Sequence, residues 1–534
     1  MPKRRPYSSY SSSYGYGREK QRRVPSPVPY LVVILLAGAG LAYFHFIAFQ
    51  SLSGRVLNAY SGTPMPGVVV TVRSGPPTPG AKPAGPAAAP LTTTTGAEGS
   101  FSIDKLPPDP VLAVAVDGFT PEQIPVAGRR SFDVKLVPNM LKGRVLSKDG
   151  KPVAGATVWA GAARTQTGPG GDYVLKDIPA ERKLVVKAPG YLSNAVEFGR
   201  VVTQDVTLEP MVAKAINVNA DSIATPGKLQ ALLDLVDRTE LTAVVVDVKG
   251  DNSGNLLYDS QLPLAQQLGV IHPIIPDLNG LLATLKEKKI YAIARLSVFW
   301  DPALASAKPE WGLKSKKAPG QLWTDPYGKR WANPYAVDVW NYNIDIAKEV
   351  ASRGFNEVQF ENVQFPSDGQ LDDIDFGPVQ GGRKRVDAVS GFLSAAYKAL
   401  SPMGVYVACN VFGLSPYVQD DMGVGQHFEE IAANTDYIDP YIYPANFGDG
   451  FMGFPKPAEH PGDVVAQTVK AAAARLGTSP AKIRPWLQDF SSGKVKYEAP
   501  QVRAELDAAE QSGAVGWMLW NFGNAYTEGA LKKP

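Results

Sequence analysis

The chain has 534 residues, of which 44% are hydrophobic and 20% are charged, values near the globular average that indicate two to four domains. The formal net charge is only +3, and much of the positive charge lies in the first two dozen residues, so the composition argues against nucleic-acid binding. Cys409 is the only cysteine, which excludes an intrachain disulfide and a cysteine metal cluster. The four histidines are not at metal-ligand spacing, so we expect no cofactor, with carboxylate-bound calcium left open as an alternative.

The N-terminal region predicts a membrane anchor. Residues 1–28 are rich in Ser, Tyr and Arg and nearly lack aliphatics, which predicts a disordered basic tail. Residues 29–49 are uncharged and apolar, long enough to form a transmembrane helix. Since the basic residues precede it, we expect a single-pass protein of the inner (cytoplasmic) membrane with extracytoplasmic C-terminal domains. A cleaved signal peptide is the competing interpretation, although the apolar run continues past the small residues at 37–39 and exceeds a typical signal core.

An internal repeat fills the next part of the chain. Gly-Arg-Val-Leu at 54–57 recurs at 143–146, and a Gly-rich turn followed by an aromatic residue, Phe101, recurs before Tyr173. Short alternating strands separated by Gly, Pro and Asp turns predict two small all-β sandwich modules, residues 53–138 and 141–210. The first copy carries a Pro-, Ala- and Gly-rich insertion at 75–90, which predicts a flexible loop.

The two repeat units resemble the carboxypeptidase regulatory-like, transthyretin-like modules that are common in surface proteins. This resemblance favours a stalk that holds the following domain away from the membrane. Glycan or protein binding by the modules is the alternative.

From residue 213 onward, strand-like and helix-like patterns alternate, which predicts a (β/α)8 TIM-type barrel over residues 213–534. A doubly wound open sheet is the rival, but no Gly-rich phosphate turn follows the first strand. The predicted strands are 215–220, 243–248, 291–298, 357–361, 405–410, 437–442, 483–487 and 515–520, and the predicted helices are 226–238, 277–288, 338–353, 384–400, 426–433, 463–476 and 499–512.

Acids, amides and aromatics recur at the predicted strand ends, where barrels carry their chemistry. The clearest case is Glu361, which ends a short strand just before a Phe-Pro-Ser-Asp-Gly break. Such a mixture suits a sugar, because carboxylates act on the glycosidic bond, amides bind hydroxyls and aromatic rings stack on the pyranose. Any one of these residues is more often a cap, a turn former or core, so the interpretation depends on their convergence.

The barrel region also resembles a known family. The matching segments include residues 239–249, 331–335, 354–367, 484–490 and 516–521. They are similar to a bacterial glycoside hydrolase-like family that was long catalogued as a domain of unknown function. The resemblance implies a (β/α)8 barrel with a polysaccharide-directed activity.

The sequence departs from the family pattern at the strand ends. Glu361 replaces an expected Asp, Gln364 an expected Arg, and Asn410 an expected Asp, while Asn446 lies where the family has a His. Since an amide cannot act as an acid or base, a protein that needs the fifth-strand Asp would have lost hydrolysis and kept binding.

The leading hypothesis is a membrane-anchored, extracytoplasmic glycoside hydrolase-like protein acting on a cell-envelope or exported polysaccharide. Glu361 is predicted to be the nucleophile or base, Asp489 the acid, and Asp439 the alternative acid. A catalytically weakened barrel that binds glycan in an envelope assembly is the first alternative, and an adhesion factor acting through its repeat modules is the second. The expected partners are a polysaccharide or oligosaccharide and the membrane, and protein partners are left open. The residues expected to orient sugar hydroxyls are Asp247, Lys249, Arg295, Gln364, Asn410, Tyr443, Trp520 and Asn521.

Overall fold

The computed structural model describes residues 32–39, 51–75, 89–107, 109–126, 128–477, 479, 482–493 and 495–534. The predicted tail, most of the predicted anchor and most of the 75–90 insertion lie outside these ranges. Residues 32–39 form a helix, α1. Over the ranges that the structure describes, no helix combines the length and the apolar character needed to cross a bilayer. The chain divides into two compact units, Met1–Pro138 and Asn139–Pro534.

The first module is a sandwich of two sheets, in strand orders β4-β1-β7 and β3-β2-β5-β6. Apolar side chains alternate along its strands and meet between the sheets, where Val56, Val70 and Leu112 are fully buried. Its strands are β1 (Leu52–Asn58), β2 (Val69–Ser74), β3 (Leu91–Thr94), β4 (Ser100–Ile103), β5 (Pro110–Val114), β6 (Glu122–Pro125) and β7 (Ser131–Leu136).

The second module repeats this topology, with strand orders β11-β8-β14 and β10-β9-β12-β13. Its Gly143 packs against Tyr173, since an added Cβ would lie 2.9 Å from the ring, and in the first module a Cβ added at Gly54 would lie 3.0 Å from the Phe101 ring. The repeated Gly and aromatic residues are therefore one packing contact used twice. The strands are β8 (Leu141–Ser147), β9 (Thr157–Ala160), β10 (Ala163–Gln166), β11 (Asp172–Leu175), β12 (Lys183–Lys187), β13 (Asn194–Glu197) and β14 (Val206–Leu208).

The C-terminal region is the predicted barrel. The barrel has eight strand positions, and the strands that occupy them are all parallel. The sheet closes through the pairing of β15 with β25 and of β21 with β22. The seventh position is split into β23 and β24, and the short strands β18 and β20 pair with each other outside the barrel. The strands are β15 (Lys214–Val218), β16 (Ala243–Lys249), β17 (Tyr291–Ser297), β18 (Lys314–Ser315), β19 (Glu357–Glu361), β20 (Ile374–Asp375), β21 (Tyr406–Phe412), β22 (Tyr437–Ile442), β23 (Lys482–Ile483), β24 (Trp486–Gln488) and β25 (Trp517–Trp520).

All seven predicted barrel helices are present, and three shorter ones (α2, α4 and α6) were not predicted, because five or six residues show too little periodicity to be recognised. The helices are α2 (Ala220–Ala224), α3 (Lys228–Asp237), α4 (Pro263–Leu268), α5 (Leu278–Glu287), α6 (Pro302–Ala307), α7 (Val337–Arg353), α8 (Arg385–Leu400), α9 (Phe428–Ala432), α10 (Pro461–Leu476) and α11 (Ala499–Gln511).

The second module packs against the amino-terminal end of the barrel. Lys187 at the end of β12 forms an ion pair of 2.6 Å with Asp436, which directly precedes β22, and both side chains are at least 95% buried. Tyr406 at the start of β21 donates a hydrogen bond of 2.9 Å to the carbonyl of Ala188. Trp159 of β9 belongs to the same core cluster as the barrel helices. This module is thus a support built into the barrel unit rather than a detached spacer.

Replacing Lys187 with Met tests this interface. The substitution leaves Asp436 buried without its cation, so we expect the free energy of unfolding to fall by about 3–5 kcal/mol. The matched control is Lys148→Met in the same module, since Lys148 and Glu209 form an ion pair with side chains 70% and 59% exposed; such pairs contribute about 1 kcal/mol or less. Urea unfolding measures both, and equal losses would contradict a buried interface.

Candidate active site

A cleft of about 780 Å³ opens at the carboxyl-terminal end of the barrel. Its charged lining residues are Asp251, Arg295 and Glu361. Around these three side chains lie many aromatic rings, so the cleft offers both acids and stacking surfaces. The aromatic lining residues are Trp300, Phe412, Tyr441, Tyr443, Phe447, Phe490, Trp520 and Phe522.

Strand β19 delivers Glu361 to this cleft. Along the strand Glu357, Gln359 and Glu361 point into the barrel, while Val358 and Phe360 belong to the core shared with the helices, as the two-residue period requires. The strand ends because the next residue, Asn362, has φ of +53°, a conformation that Asn tolerates better than most residues. The backbone N–H of Asn362 then donates to Glu361 Oε1 at 3.2 Å.

Glu361 Oε2 is held by three donors. Arg295 Nη1 lies 3.4 Å away, and Asn410 and the Tyr441 hydroxyl also donate to the same oxygen. Asn410 in turn donates to the Tyr441 oxygen at 2.9 Å and accepts from the Trp486 indole at 3.1 Å. The carboxyl group therefore has one fixed orientation, and only 7% of Glu361 is exposed.

Arg295 is the shared partner of three carboxylates. Its Nε donates to Asp247 at 2.7 Å and its Nη2 to Asp251 at 2.7 Å, in addition to the contact with Glu361. The guanidinium lies 4.7 Å from the centroid of the Trp520 ring, within range of a cation–π interaction. Asp251 and Glu361 are therefore bound by one guanidinium, and both line the cleft.

The electrostatics of the pair favour retention of a proton. Burial, and the nearby charge of Asp251, raise the pKa of Glu361 to about 7, with Arg295 acting in the opposite direction. Burial and Asp247 also raise the pKa of Asp251. Since three carboxylates face one guanidinium, one carboxyl group of the cluster can stay protonated near neutral pH and act as a general acid.

Asp251 was not predicted as a site residue. It follows β16 in the turn Gly-Asp-Asn-Ser-Gly, a composition in which Asp normally forms the turn itself. The turn packs closely against Asp301, since a Cβ added at Gly254 would lie 1.9 Å from the Asp301 carboxylate. About a third of the Asp251 side chain is exposed, so water can reach it. The only sequence signal was its position shortly after a strand that already carried Asp247.

Of the residues predicted to bind sugar, Arg295, Tyr443 and Trp520 line the cleft. Asp247 and Asn410 lie behind it and contact the cleft through Arg295 and Glu361. Gln364 lines a smaller side pocket next to the cleft. Asn362, Asn446 and Tyr441 line the main cleft without having been predicted as site residues, since a polar residue at a strand end is not distinctive by itself.

Asp489 is placed differently from the prediction. Its carboxylate accepts from the backbone N–H and the hydroxyl of Thr527, at 2.8 and 2.6 Å, and Asp489 is 3% exposed. Asn521 donates to the Asp489 carbonyl and accepts from the backbone N–H groups of Gly523 and Ala525. Neither is among the residues that line the cleft; both hold the two rim loops together.

Asp439 lies deeper in the barrel and is fully buried. It accepts from Gln359 at 2.5 Å and from Arg484 at 3.2 Å, and Arg484 also binds Glu357 at 3.0 Å. Burial, opposed by Arg484, raises the pKa of Asp439 to about 7. Asp439, predicted as the alternative acid, points into the barrel but is not among the residues that line the cleft.

Lys249 lies outside the barrel wall. The register between β16 and β17 shifts between Asp247 and Lys249, and this bulge reverses the expected alternation. The ammonium group forms a fully buried ion pair of 2.6 Å with Asp301 and donates to Asn343 of α7 at 2.7 Å. Lys249, which was expected to bind substrate, is therefore not among the residues that line the cleft.

The described residues contain no group of three or more His, Cys, Asp or Glu side chains arranged to hold a metal ion. The cleft chemistry that its own side chains can supply is proton transfer by carboxyl groups and binding by aromatic and amide groups.

A closed parallel barrel with an acid pair and aromatic rings at its carboxyl-terminal rim has the features of a glycoside hydrolase barrel. The family described as "Putative glycosyl hydrolase domain" (DUF4015) matches residues 215–526, and the chain belongs to this family. Residues 51–137 and 140–219 match the carboxypeptidase regulatory-like domain. Both resemblances inferred from the sequence are thereby confirmed. No curated protein matches the chain in sequence.

The solved structures that are similar to parts of this chain include the following three. A hypothetical protein from Ruminiclostridium thermocellum ATCC 27405 is 32% identical, covering 39% of this chain and 98% of its own, with a TM-score of 0.34. The PgaB (BpsB) glycoside hydrolase domain from Bordetella bronchiseptica is 16% identical, covering 58% and 94%, with a TM-score of 0.45. The PelA glycoside hydrolase domain from Pseudomonas aeruginosa is 12% identical, covering 58% and 95%, with a TM-score of 0.33.

The raised pKa of Glu361 should make the free energy of unfolding depend on pH. A carboxyl group whose pKa rises from 4.5 to about 7 on folding contributes stability that is fully present below pH 4.5 and is lost as the pH rises through 7. Glu361→Gln has no proton to lose, so its free energy of unfolding relative to the wild type should increase between pH 5 and pH 8, by on the order of 3 kcal/mol at most. Urea unfolding at both pH values measures this.

The matched control is Glu430→Gln, the same substitution at an exposed glutamate that does not line the cleft. A pH-independent difference for E361Q would show that Glu361 titrates as an ordinary glutamate.

Proposed function

We propose that this protein is a glycoside hydrolase that acts on a polysaccharide. The observation that carries the proposal is the pair Glu361 and Asp251, held by the one guanidinium of Arg295 in a cleft lined with aromatic rings. Two carboxyl groups that flank a glycosidic bond are the usual requirement for its hydrolysis, and aromatic faces bind pyranose rings. Family membership of residues 215–526 supports the same class of reaction.

The two acids have different environments, which suggests their roles. Glu361 is the more buried and has a pKa near 7, so in its protonated form it can donate a proton to the glycosidic oxygen. Asp251 is partly exposed beside Arg295 and acts as the base for water or as the nucleophile. The acid role that the sequence suggested for Asp489 thus moves to Glu361, and Asp251 takes the role first given to Glu361.

Asn410 need not be an acid in this arrangement. It donates to Glu361 and to Tyr441, so it orients the general acid and stabilises its anion after proton transfer. Asn410 lies on the fifth barrel strand where the family has an Asp, and Asp251, after the second barrel strand, supplies a carboxylate in its place. A barrel that only binds glycan remains the second candidate, favoured by the amides Asn362, Gln364 and Asn446 at the rim.

Activity of single variants tests the assignment. Glu361→Gln and Asp251→Asn should each lower kcat/KM by about 100-fold or more, since general acid–base groups contribute about 10²–10⁴. Asp489→Asn is the matched control: it should retain most activity because its carboxylate faces Thr527. The assay is release of reducing ends by the purified protein from a panel of bacterial exopolysaccharides and cell-wall glycans. Full activity of E361Q and D251N would exclude the pair, and glycan binding without turnover by the wild type would favour the binding protein.

For location, we propose that residues 29–49 anchor the protein in the cytoplasmic membrane and that the modules and barrel lie outside. The uncharged apolar run and the preceding basic residues support this. Protease added to intact spheroplasts should degrade the barrel, whereas a cytoplasmic control protein stays intact. Protection of the barrel until the membrane is lysed would contradict the proposed orientation.

A further inference from the structure

The side pocket next to the main cleft is a distinct feature of about 130 Å³. Trp300, Asn362, Ser367 and Phe412 line both spaces, so the two are continuous. Asn362 directly follows Glu361 in the chain, which places the side pocket immediately beside the proposed general acid. A pocket this small, below the roughly 300–1,000 Å³ of independent ligand sites, takes only part of a ligand whose remainder lies in the main cleft.

The wall of this pocket is a rigid aromatic platform. Trp300 and Trp331 are stacked, with centroids 6.0 Å apart and planes inclined by 26°. Both indole N–H groups donate to Asp325 Oδ2, at 3.0 and 3.1 Å. The other oxygen of Asp325 accepts from the backbone N–H groups of Tyr327 and Lys329, each at 2.9 Å. Asp325 is thus fully occupied in positioning the two indoles and the turn that carries Tyr327.

Tyr327 extends the platform into solvent. It lines the side pocket, and 74% of the residue is exposed, so its ring is accessible to a ligand. The platform is carried by residues 298–336, between β17 and α7. This segment follows a barrel strand, and such segments commonly carry binding residues.

Polar groups complete the pocket. Gln364 lines it and accepts a hydrogen bond from Gln426 at 3.3 Å on its amide oxygen, which leaves the amide nitrogen available to a hydroxyl. Ser367 and Asp368 line it as well. Aromatic faces with an amide, a hydroxyl and a carboxylate at the edge match the two surfaces of a pyranose, which is apolar on its faces and polar at its rim.

We propose that the side pocket is a second sugar subsite, one unit away from the bond that Glu361 protonates, and that the enzyme therefore acts on oligomeric or polymeric chains in preference to single glycosides. This inference rests on the proposed function, because it takes Glu361 as the point of cleavage. Binding energy from the remote sugar unit orients the chain across the acid pair.

Tyr327→Ala tests the subsite, since an exposed side chain can be removed without disturbing the fold. The probes are the di- and hexasaccharides of β-1,4-linked glucose, N-acetylglucosamine and glucosamine, used with the purified full-length protein. For a hexasaccharide that the wild type cleaves, Y327A should lower kcat/KM about tenfold, while the value for the disaccharide stays unchanged. Tyr327→Phe is the matched control and should behave like the wild type on both lengths, because it keeps the ring.

Binding to Glu361→Gln by calorimetry separates this inference from the proposed function. If the wild type cleaves none of the probes but adding Y327A to E361Q weakens hexasaccharide binding about tenfold, the subsite stands and hydrolysis fails. Equal losses on di- and hexasaccharide, no loss on either, or no binding of any hexasaccharide would each overturn the subsite.

Discussion

The upper layer of the barrel depends on one guanidinium. Arg295 is 5% exposed and forms ion pairs with Asp247, Asp251 and Glu361. Taking a single acid out of water is costly unless a cation or a proton compensates it. Three carboxyl groups therefore share one cation. The contacts to Arg295 fix the positions of these groups, and their excess negative charge favours a proton on one of them. A retained proton is what the proposed general acid requires.

The same imbalance occurs one layer deeper, where Arg484 lies between Glu357 and Asp439. That layer is closed by side chains, whereas the Arg295 layer opens into the cleft. Raised carboxyl pKa values alone therefore do not identify the site, since Asp439 and Glu361 share that property. Access from solvent distinguishes them, because Glu361 lines the cleft and Asp439 does not. The second module closes the opposite end of the barrel through Lys187 and Asp436.

The barrel was predictable because strands buried on both faces read as apolar runs between amphipathic helices. Glu361 was predictable because it ends such a run before a proline break. The alternation of side chains along a strand indicates which face a side chain occupies, but not how deep in the barrel it lies, as Asp439 shows. A single bulge reverses this alternation, as Lys249 shows. Asp251 and Asp489 illustrate the remaining limit, because an acid in a turn and an acid after a strand look alike in sequence. Only the tertiary contacts show that Asp489 binds Thr527 and that Asp251 faces the cleft.

The most direct test of the acid pair is a crystal structure of Glu361→Gln in complex with an oligosaccharide that the wild type cleaves. The arrangement predicts that the side chain at position 361 lies within hydrogen-bonding distance of a glycosidic oxygen, with Asp251 on the opposite side of the same sugar, within about 9.5 Å of residue 361. A glycosidic oxygen beside a different carboxyl group, or a sugar that lies beyond the reach of Asp251, would contradict it.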